Sequence, residues 1–429
     1  MPSSLTSPRT RLYLFSLVSR LLILCLVYIS SFLPVFDSGA HAVLQPSTLR
    51  LTSALLRWDV FHFSHIANEG YVYEYEWAFF PGIAGVMRYA GQLLGLLKSG
   101  LGIGGSDMAN ILQGGAMAAM ACDSTMLLYD LSLEVFGSQR IAYLCALLSL
   151  IPSSPATLRY APYTEPFFTY LSYKGMLASL RSRYLHAAAF FAVATTFRSN
   201  GVLLAGYIVW PVLVQPLLRH ERPRLGTLGY AASLSLIVAS PLVLYQASAY
   251  RLFCFSSSPP LWCSSFPPSI YAYVQAEYWD NGFLHYWHFS QVPNFLMAAP
   301  VYAIIFAFCW FHLSRRGPNI YETLLRETGA AKASSDPFLN AKLTPFVIHS
   351  FVLTSTLLLA SHVQIILRIA PSMPVVYWAA VWLLVRNNTS EKRPLSEQQV
   401  WNWGKMWVWW SVVWGAVSTV LWTTGLPPA

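Results

Sequence analysis

Long apolar runs recur along the whole chain, and they constrain the fold more than any other feature. The first covers residues 11–36, RLYLFSLVSRLLILCLVYISSFLPVF, and the last covers residues 406–422, MWVWWSVVWGAVSTVLW. Several runs approach the length that crosses a bilayer as a helix, and others are broken by Pro and Gly. The sequence therefore predicts an all-α polytopic membrane protein with a bundle of about 8–12 transmembrane helices.

Composition and charge agree with a membrane location. Only 10% of the residues are charged, 55% are hydrophobic and the mean hydropathy is +0.46, whereas soluble domains carry more than twice that share of charge. The net charge of +9 comes from dispersed basic clusters, such as 181–183, 219–224 and 314–316. Because these clusters lie between apolar runs, they are typical of cytoplasmic loops and not of a nucleic-acid surface. The first run exceeds a signal h-region and lacks a cleavage site, so we expect a retained span.

Four stretches interrupt the apolar pattern of what we expect to be one integral-membrane domain, residues 1–429. Residues 37–82 and 250–294 are predicted to form a first and a second loop on one side, and 314–342 a solvated cytoplasmic loop. The fourth stretch, 387–404, contains overlapping glycosylation sequons at Asn387 and Asn388, whose basic neighbours favour the cytoplasm. Cys254 and Cys263 lie in the second loop and either form a disulfide or remain free thiols.

The first loop contains the densest polar cluster, RWDVFHFSHIANEGYVYEYEWAFFPG at residues 57–82. Its spacing predicts a short helix that ends at Gly70, with Asp59, His62, Ile66 and Glu69 on one face. A carboxylate there could activate a hydroxyl nucleophile while the surrounding aromatic rings exclude water. Two alternatives stay open: Asp59 could be a salt-bridged surface residue, or Asp59, His62 and Glu69 could bind a divalent cation.

This stretch resembles the first luminal loop of a known family. Three further blocks are similar to that family's signatures and occur in the same order: RSNG at 198–201, YVQAEYWDNGFLHYWHFSQVPNFLMAAPV at 273–301 and HVQIILRIAPSMPVVYW at 362–378. On these residues the chain resembles the PIG-V family of GPI mannosyltransferases, in its fungal form, within the GT-C glycosyltransferase superfamily. The match spans most of the chain.

The resemblance implies a multi-pass enzyme of the endoplasmic reticulum membrane with a luminal active site. It implies transfer of the second mannose, in α-1,6 linkage, from dolichyl-phosphate mannose to the GPI-anchor precursor. Fungal members are thought to work with a small accessory membrane subunit. We expect no cofactor beyond the lipid-linked donor and assign no metal ligands, and we leave open whether a divalent cation is required.

The implied reaction converts a β-linked donor into an α-mannoside, which indicates inversion in a single displacement. Asp59 matches the family's catalytic aspartate, with His62 as the second catalytic candidate. Arg159, Arg198 and Arg368 are candidates to stabilise the leaving phosphate, although Arg198 could instead be a snorkelling helix-end residue. The full set of substrate-binding candidates is Arg57, Trp58, Glu69, Glu74, Arg159, Glu165, Arg198, Asn200, Gln275, Trp279, Gln291, Asn294, Gln364 and Arg368.

Two further readings stay open. The polar and aromatic residues of the second loop either recognise the acceptor sugar or form an interfacial aromatic belt. The chain as a whole could also be a lipid transporter, which would place charges at mid-membrane in two related halves, or a non-catalytic scaffold subunit that tolerates the loss of Asp59.

Overall fold

The computed structural model describes residues 7–37, 39–325, 336–389 and 402–426, with the backbone alone for 317–325 and 387–389. Within these ranges the chain is built of helices and turns, without strands. The α-helices, in chain order, are α1 (Pro8–Ser30), α2 (Gly39–Val43), α3 (Arg50–Ser53), α4 (Asp59–Glu69), α5 (Pro81–Gly100), α6 (Asp107–Ala121), α7 (Thr125–Phe136), α8 (Gln139–Leu148), α9 (Pro155–Arg159), α10 (Thr164–Leu180), α11 (Tyr184–Thr195), α12 (Gly206–Val209), α13 (Gln215–Leu218), α14 (Leu225–Phe253), α15 (Ile270–Glu277), α16 (Val292–Leu325), α17 (Thr344–Ala360), α18 (Ile365–Ile369), α19 (Pro374–Thr389) and α20 (Trp403–Thr424).

The all-α membrane class predicted from the apolar runs is confirmed. In the described ranges, six helical segments are long and apolar enough to cross a membrane: 8–30, 107–136, 199–218, 225–253, 289–316 and 341–360. A seventh is possible if α18 and α19, which bend by 86° at their junction, count as one span. This number is below the predicted range of about 8–12, because other bundle helices are too short or too polar to qualify by length and composition.

The bend between α18 and α19 shapes the centre of the bundle. Pro371 and Pro374 lie at the junction, and proline cannot continue a helix because it lacks the amide donor. Residues 371–382 are all buried, with Trp378 fully enclosed. The second half of this broken segment therefore forms part of the core, while α18 brings Arg368 to a cavity described below.

The predicted first and second loops pack against each other at one end of the bundle. Glu74 accepts hydrogen bonds from Trp262 Nε1 at 3.0 Å and from the Tyr278 hydroxyl at 3.2 Å. Cys254 and Cys263 form a disulfide, which closes the second loop beside this contact. The two loops thus form one cap over the helices.

Parts of the predicted solvated loop at 314–342 are helical. Helix α16 continues to Leu325, and short 3₁₀ turns cover Pro337–Leu339 and Ala341–Leu343. Residues 326–335 lie outside the described ranges. For the sequon residues Asn387 and Asn388 the structure describes the backbone alone, so the prediction about their glycosylation lies outside the described side chains.

Candidate active site

A cavity of about 430 Å³ lies beneath the cap. Its walls come from six separate segments: the start of α4, residues 78–80, the start of α10, residues 197–200, helix α15 with the loop after it, and the end of α17 with α18. The lining includes Trp58, Asp59, Thr164, Arg198, Asn200, Tyr271, Gln275, Trp279, Asn281, His362, Gln364 and Arg368. Residues from all four signature blocks therefore meet at one site.

Asp59 opens helix α4, which runs to Glu69 as predicted and ends at Gly70 with a φ of 89°. Glycine adopts this conformation without a Cβ penalty, so Gly70 fixes the helix end. The residue before Asp59 is unusual, because Trp58 has a φ of 51°. Left-handed backbone at a bulky residue costs of order 1–3 kcal/mol and is found mainly at functional sites.

Four charged side chains form a chain of contacts at the cavity wall. Arg368 Nη2 contacts Asp59 Oδ2 at 2.9 Å, and Arg368 Nε donates to Glu165 Oε1 at 2.8 Å. Arg198 Nη1 donates to the same Glu165 oxygen at 3.0 Å and to Thr164 Oγ1 at 2.9 Å. Two carboxylates thus neutralise two guanidinium groups, and each arginine retains further N–H donors.

Tyr163 contacts both Asp59 and Arg368 and so fixes their positions. The Asp59 backbone amide donates to the Tyr163 hydroxyl at 3.2 Å, and the Arg368 guanidinium lies 4.7 Å from the centre of the Tyr163 ring. The ring itself packs edge-on against Phe63 and Trp422. A small side cavity of about 50 Å³ adjoins Asp59 and Arg368 next to Tyr163. The Asp59 carboxylate is therefore rigidly placed yet accessible.

Three buried polar atoms of the cavity lining have no hydrogen-bond partner among the described residues: Asn200 Nδ2, Asn281 Oδ1 and Gln364 Oε1. A buried polar group without a partner lowers the stability of the fold by about 1–3 kcal/mol, so such groups usually form hydrogen bonds with a bound ligand or water. Together they present one donor and two acceptors to the cavity. This combination suits a ligand rich in hydroxyl groups.

His62 lies one turn after Asp59 but does not line the cavity. Its ring stacks on Phe79 with centroids 4.8 Å apart and meets Tyr75 and Trp279 edge-on. Burial among these rings lowers the pKa of His62, although the nearby Asp59 acts in the opposite direction. The aromatic contacts place His62 as a support between the two loops.

Several sequence-predicted candidates lie away from the cavity. The buried Arg57 guanidinium donates to the carbonyls of Ser53, Leu56 and Thr423, which ties the first loop to α20. Glu69 is exposed and accepts from Asn68. Glu74 joins the two loops, as described above. These three residues therefore have structural partners.

Arg159, Gln291 and Asn294 also lie elsewhere. Arg159 is buried beside α1 and α7, where it donates to the Ser149 carbonyl at 2.8 Å. Asn294 donates to Gln291 Oε1 at 2.7 Å and to the Tyr286 hydroxyl at 2.8 Å, at the start of α16. None of the three belongs to the cavity lining.

Sequence reasoning missed Glu76 and His362. The Glu76 side chain is 1% exposed, lies 2.5 Å from His65 Nδ1 and accepts from the amides of Val72 and Tyr73. His362 lines the cavity and contacts the Trp279 carbonyl at 2.8 Å. The sequence Glu74-Tyr75-Glu76 does not indicate which of the two glutamates is buried. His362 is the first residue of the block at 362–378, and that position was a signal that could have identified it.

The alternative of a divalent-cation site gains no ligand set from the structure. In the portion of the chain that is described, no three His, Cys, Asp or Glu side chains are grouped so that they could hold a metal ion. Asp59 and Glu165 are instead engaged with arginines.

Comparisons with known proteins agree with the geometry. The family described as mannosyltransferase (PIG-V) matches residues 9–429. GPI mannosyltransferase 2 of Cryptococcus neoformans var. neoformans is 32% identical over 99% of both chains. The GPI alpha-1,6-mannosyltransferase 2 of Rattus norvegicus is also 32% identical, over 78% of this chain and 74% of its own length, and that of Homo sapiens is 30% identical over the same shares.

Among solved structures, the chain is similar to the archaeal oligosaccharyltransferase AglB from Archaeoglobus fulgidus in complex with an inhibitory peptide and a dolichol-phosphate. The TM-score is 0.45 at 10% identity, over 99% of this chain and 56% of AglB. The family match and the relatives above rest on nearly the whole sequence. The chain belongs to the PIG-V mannosyltransferase family and is an integral-membrane glycosyltransferase.

Proposed function

We propose that the cavity beneath the cap transfers mannose, in α-1,6 linkage, from dolichyl-phosphate mannose to the GPI-anchor precursor that already carries one mannose. The observation that carries this proposal is the contact chain Asp59–Arg368–Glu165–Arg198 in a cavity whose lining also offers unpaired polar atoms. The names of the relatives agree with it. The family match and the named relatives do not favour the alternative of a lipid transporter.

The chemistry is a single displacement with inversion at the anomeric carbon. The acceptor hydroxyl oxygen attacks C1 of the mannose while the bond from C1 to the phosphate oxygen breaks. The bonding pair leaves with the polyprenyl phosphate, and the hydroxyl proton passes to the Asp59 carboxylate. Negative charge therefore grows on the departing polyprenyl phosphate as the bond from C1 breaks.

Arg368 and Arg198 are suited to that growing charge. Guanidinium groups bind phosphate oxygens through paired N–H donors, and a preorganised cation near a leaving group is among the strongest contributions to catalysis. In the structure Arg368 contacts Asp59 at 2.9 Å. A donor phosphate would compete for Arg368 and release Asp59, so donor binding would also prepare the base for the acceptor.

The acceptor sugar has its partners in the second loop. Gln275, Trp279 and Asn281 line the cavity on the side of the cap, and Gln364 faces them from the bundle. An indole ring packs against the apolar face of a sugar, while amide groups exchange hydrogen bonds with its hydroxyls. We therefore assign the cap to the acceptor and the arginine side to the donor.

We propose that the cap lies in the lumen of the endoplasmic reticulum. The Cys254–Cys263 disulfide supports this orientation, because disulfides persist in oxidising compartments. The basic clusters at 181–183, 219–224 and 314–316 support it from the opposite end of the bundle.

A small accessory membrane subunit also belongs to this proposal, on the strength of the family resemblance. The test is affinity purification of the tagged chain from its native membranes in mild detergent. A small membrane protein in stoichiometric amount would support the subunit, and full transfer by the chain alone in defined lipid would argue against it.

The function is tested in microsomes from cells that lack their own second GPI mannosyltransferase. With labelled dolichyl-phosphate mannose, microsomes without the chain should accumulate the one-mannose precursor, and microsomes with the chain should convert it to the two-mannose lipid. Linkage analysis of the product then checks the α-1,6 bond. Persistence of the one-mannose lipid, with the accessory subunit present, would reject the proposed reaction.

We further propose that the two arginines, and not a bound divalent cation, stabilise the leaving phosphate. Chelation with excess EDTA should then leave the transfer rate within about twofold of the untreated rate, since no reacting group depends on a metal. The measurement is mannose transfer in washed microsomes, with and without added Mg²⁺ or Mn²⁺. A loss of transfer that only one of these cations restores would overturn this assignment.

A further inference from the structure

A second and larger cavity, of about 710 Å³, lies at the opposite ends of the helices that build the active site. Glu165 in the first turn of α10 reaches the active-site cluster, whereas Met176, Ser179 and Leu180 near the end of α10 line the second cavity. At 1.5 Å per residue these positions are about 20 Å apart. The second cavity is therefore a separate site.

Helix α17 also has one cavity at its start and the other near its end. Thr344, Pro345 and Phe346 at its start line the second cavity, whereas Leu353 and Leu357 further along line the first. The second cavity thus opens at the end of the bundle that carries the basic clusters 181–183, 219–224 and 314–316. This is the end that the proposed topology assigns to the cytoplasm.

The lining of the second cavity is strongly basic. Among the described residues, it includes Arg219, Arg316 and Lys342 and no Asp or Glu. Lys342 Nζ donates to the Glu134 carbonyl at 3.1 Å, whereas neither arginine forms an ion pair with another described residue. Arg316 Nε is moreover buried, and it has no hydrogen-bond partner among the residues that the structure describes. Within the described part of the chain, the cavity therefore presents positive charge that no lining carboxylate balances.

Tyr207 provides an independent observation that points to a ligand. This residue lines the cavity and is 3% exposed, and its hydroxyl has no partner among the described residues. The next segment, Trp210–Val214, forms one π-helical turn, and Trp210 and Pro211 also line the cavity. Single π-helical turns occur frequently at functional sites. The cavity lining thus combines the unpaired Tyr207 hydroxyl, two guanidinium groups without an ion pair to a described residue, and a π-helical turn.

We propose that this cavity binds the phosphate-bearing headgroup of an anionic phospholipid. Arg219 and Arg316 would contact the phosphate oxygens and the Tyr207 hydroxyl would donate to one of them. The apolar lining, which includes Met176, Leu180 and Phe346, would contact the glycerol and upper acyl chains. The cavity lies between the spans 199–218 and 341–360, and basic pockets between transmembrane helices are typical binding sites for such headgroups. Free phosphate would leave the apolar part of the cavity uncovered.

The test measures lipid binding to the full chain, purified in detergent, by native mass spectrometry. The probes are dioleoyl phosphatidic acid, dioleoyl phosphatidylcholine and inorganic phosphate. We expect phosphatidic acid to bind most tightly, and the double variant Arg219→Gln/Arg316→Gln to bind it roughly 30-fold more weakly. Arg222→Gln is the matched control, because Arg222 carries the same charge on the same loop but does not line the cavity, and it should bind as wild type.

Tyr207→Phe provides a second variant that keeps the packing of the ring. Since its hydroxyl has no partner without lipid, the melting temperature in phosphatidylcholine should not fall, while binding of phosphatidic acid should weaken about fivefold. Equal binding of phosphatidic acid by wild type and the double variant would overturn the proposal. Inorganic phosphate that binds as tightly as the lipid would overturn the lipid assignment. Both readouts are independent of mannosyl transfer.

Discussion

Asp59→Asn should lower the rate of mannose transfer by about 100- to 10,000-fold, the range that a positioned general base contributes. The amide cannot take the proton of the attacking hydroxyl, but it occupies the same volume at the start of α4. Arg368 also retains Glu165 as a partner at 2.8 Å. The Asp59 side chain is 28% exposed, against 2% for Glu165, so water can solvate Arg368 where the carboxylate is lost. We therefore expect normal expression and a melting temperature close to that of wild type, measured beside single-turnover transfer from labelled dolichyl-phosphate mannose.

Asp280→Asn is the matched control for this experiment. Asp280 also lies in the cap, has a φ of 50° that Asn tolerates equally well, and contacts His285 outside the cavity. Its substitution should leave transfer within about twofold of wild type. Full activity of Asp59→Asn at normal expression would instead mean that another group is the base, or that the chain acts as a non-catalytic scaffold.

Much of this site could be predicted from the sequence, because its main determinants are local. The apolar runs specify the helices, since unpaired backbone polar groups cannot lie in hydrocarbon. The helical spacing after Trp58, with Gly70 at its end, predicts α4 and its C-terminal end. Asp59 belongs to the densest polar cluster, Arg198 and Arg368 belong to family-like blocks, and the structure brings all three to one cavity.

What could not be predicted depends on contacts between distant segments. Arg159 and Arg368 have the same chemistry in the same kind of segment, yet only Arg368 faces the cavity, because the bend before Pro374 turns α18 towards α4. Glu74 and Glu76 are two residues apart, yet Glu74 joins the loops while Glu76 is buried against the backbone of its own loop. Local spacing does not encode which of two similar residues finds a partner.

The same dependence on distant partners makes Glu165 the most consequential residue for the integrity of the site. Its side chain is 2% exposed, and one of its oxygens accepts from both Arg198 and Arg368. Glu165→Gln should destabilise the fold by about 3–5 kcal/mol, because it leaves two poorly solvated guanidinium groups with only Asp59 to balance them. A loss of activity of about 100-fold should accompany it, as both arginines shift from the phosphate position.

Thermal denaturation of the purified variant measures the first effect, and Glu134→Gln is the matched control. Glu134 also contacts an arginine, Arg181 at 3.2 Å, but the two side chains are 32% and 49% exposed. Such surface pairs contribute at most about 1 kcal/mol. The same chemical change should therefore lower the melting temperature by several degrees at Glu165 and hardly at Glu134, and equal shifts would contradict a special role for the buried pair.

A double variant tests whether Glu165→Gln destabilises the fold because packing is lost or because it leaves an arginine without a counter-charge. If the harm of Glu165→Gln comes from uncompensated guanidinium groups, then Glu165→Gln/Arg198→Gln should be less destabilised than the sum of its two single variants, because it leaves a balanced Asp59–Arg368 pair. Strict additivity would mean that Glu165 acts through packing alone. Transfer activity should stay low in the double variant even where stability recovers, since Arg198 is one of the two groups assigned to the departing phosphate. Recovery of stability without recovery of transfer would thus locate the contribution of Arg198 in the chemistry, and that of Glu165 in holding the two arginines where the chemistry needs them.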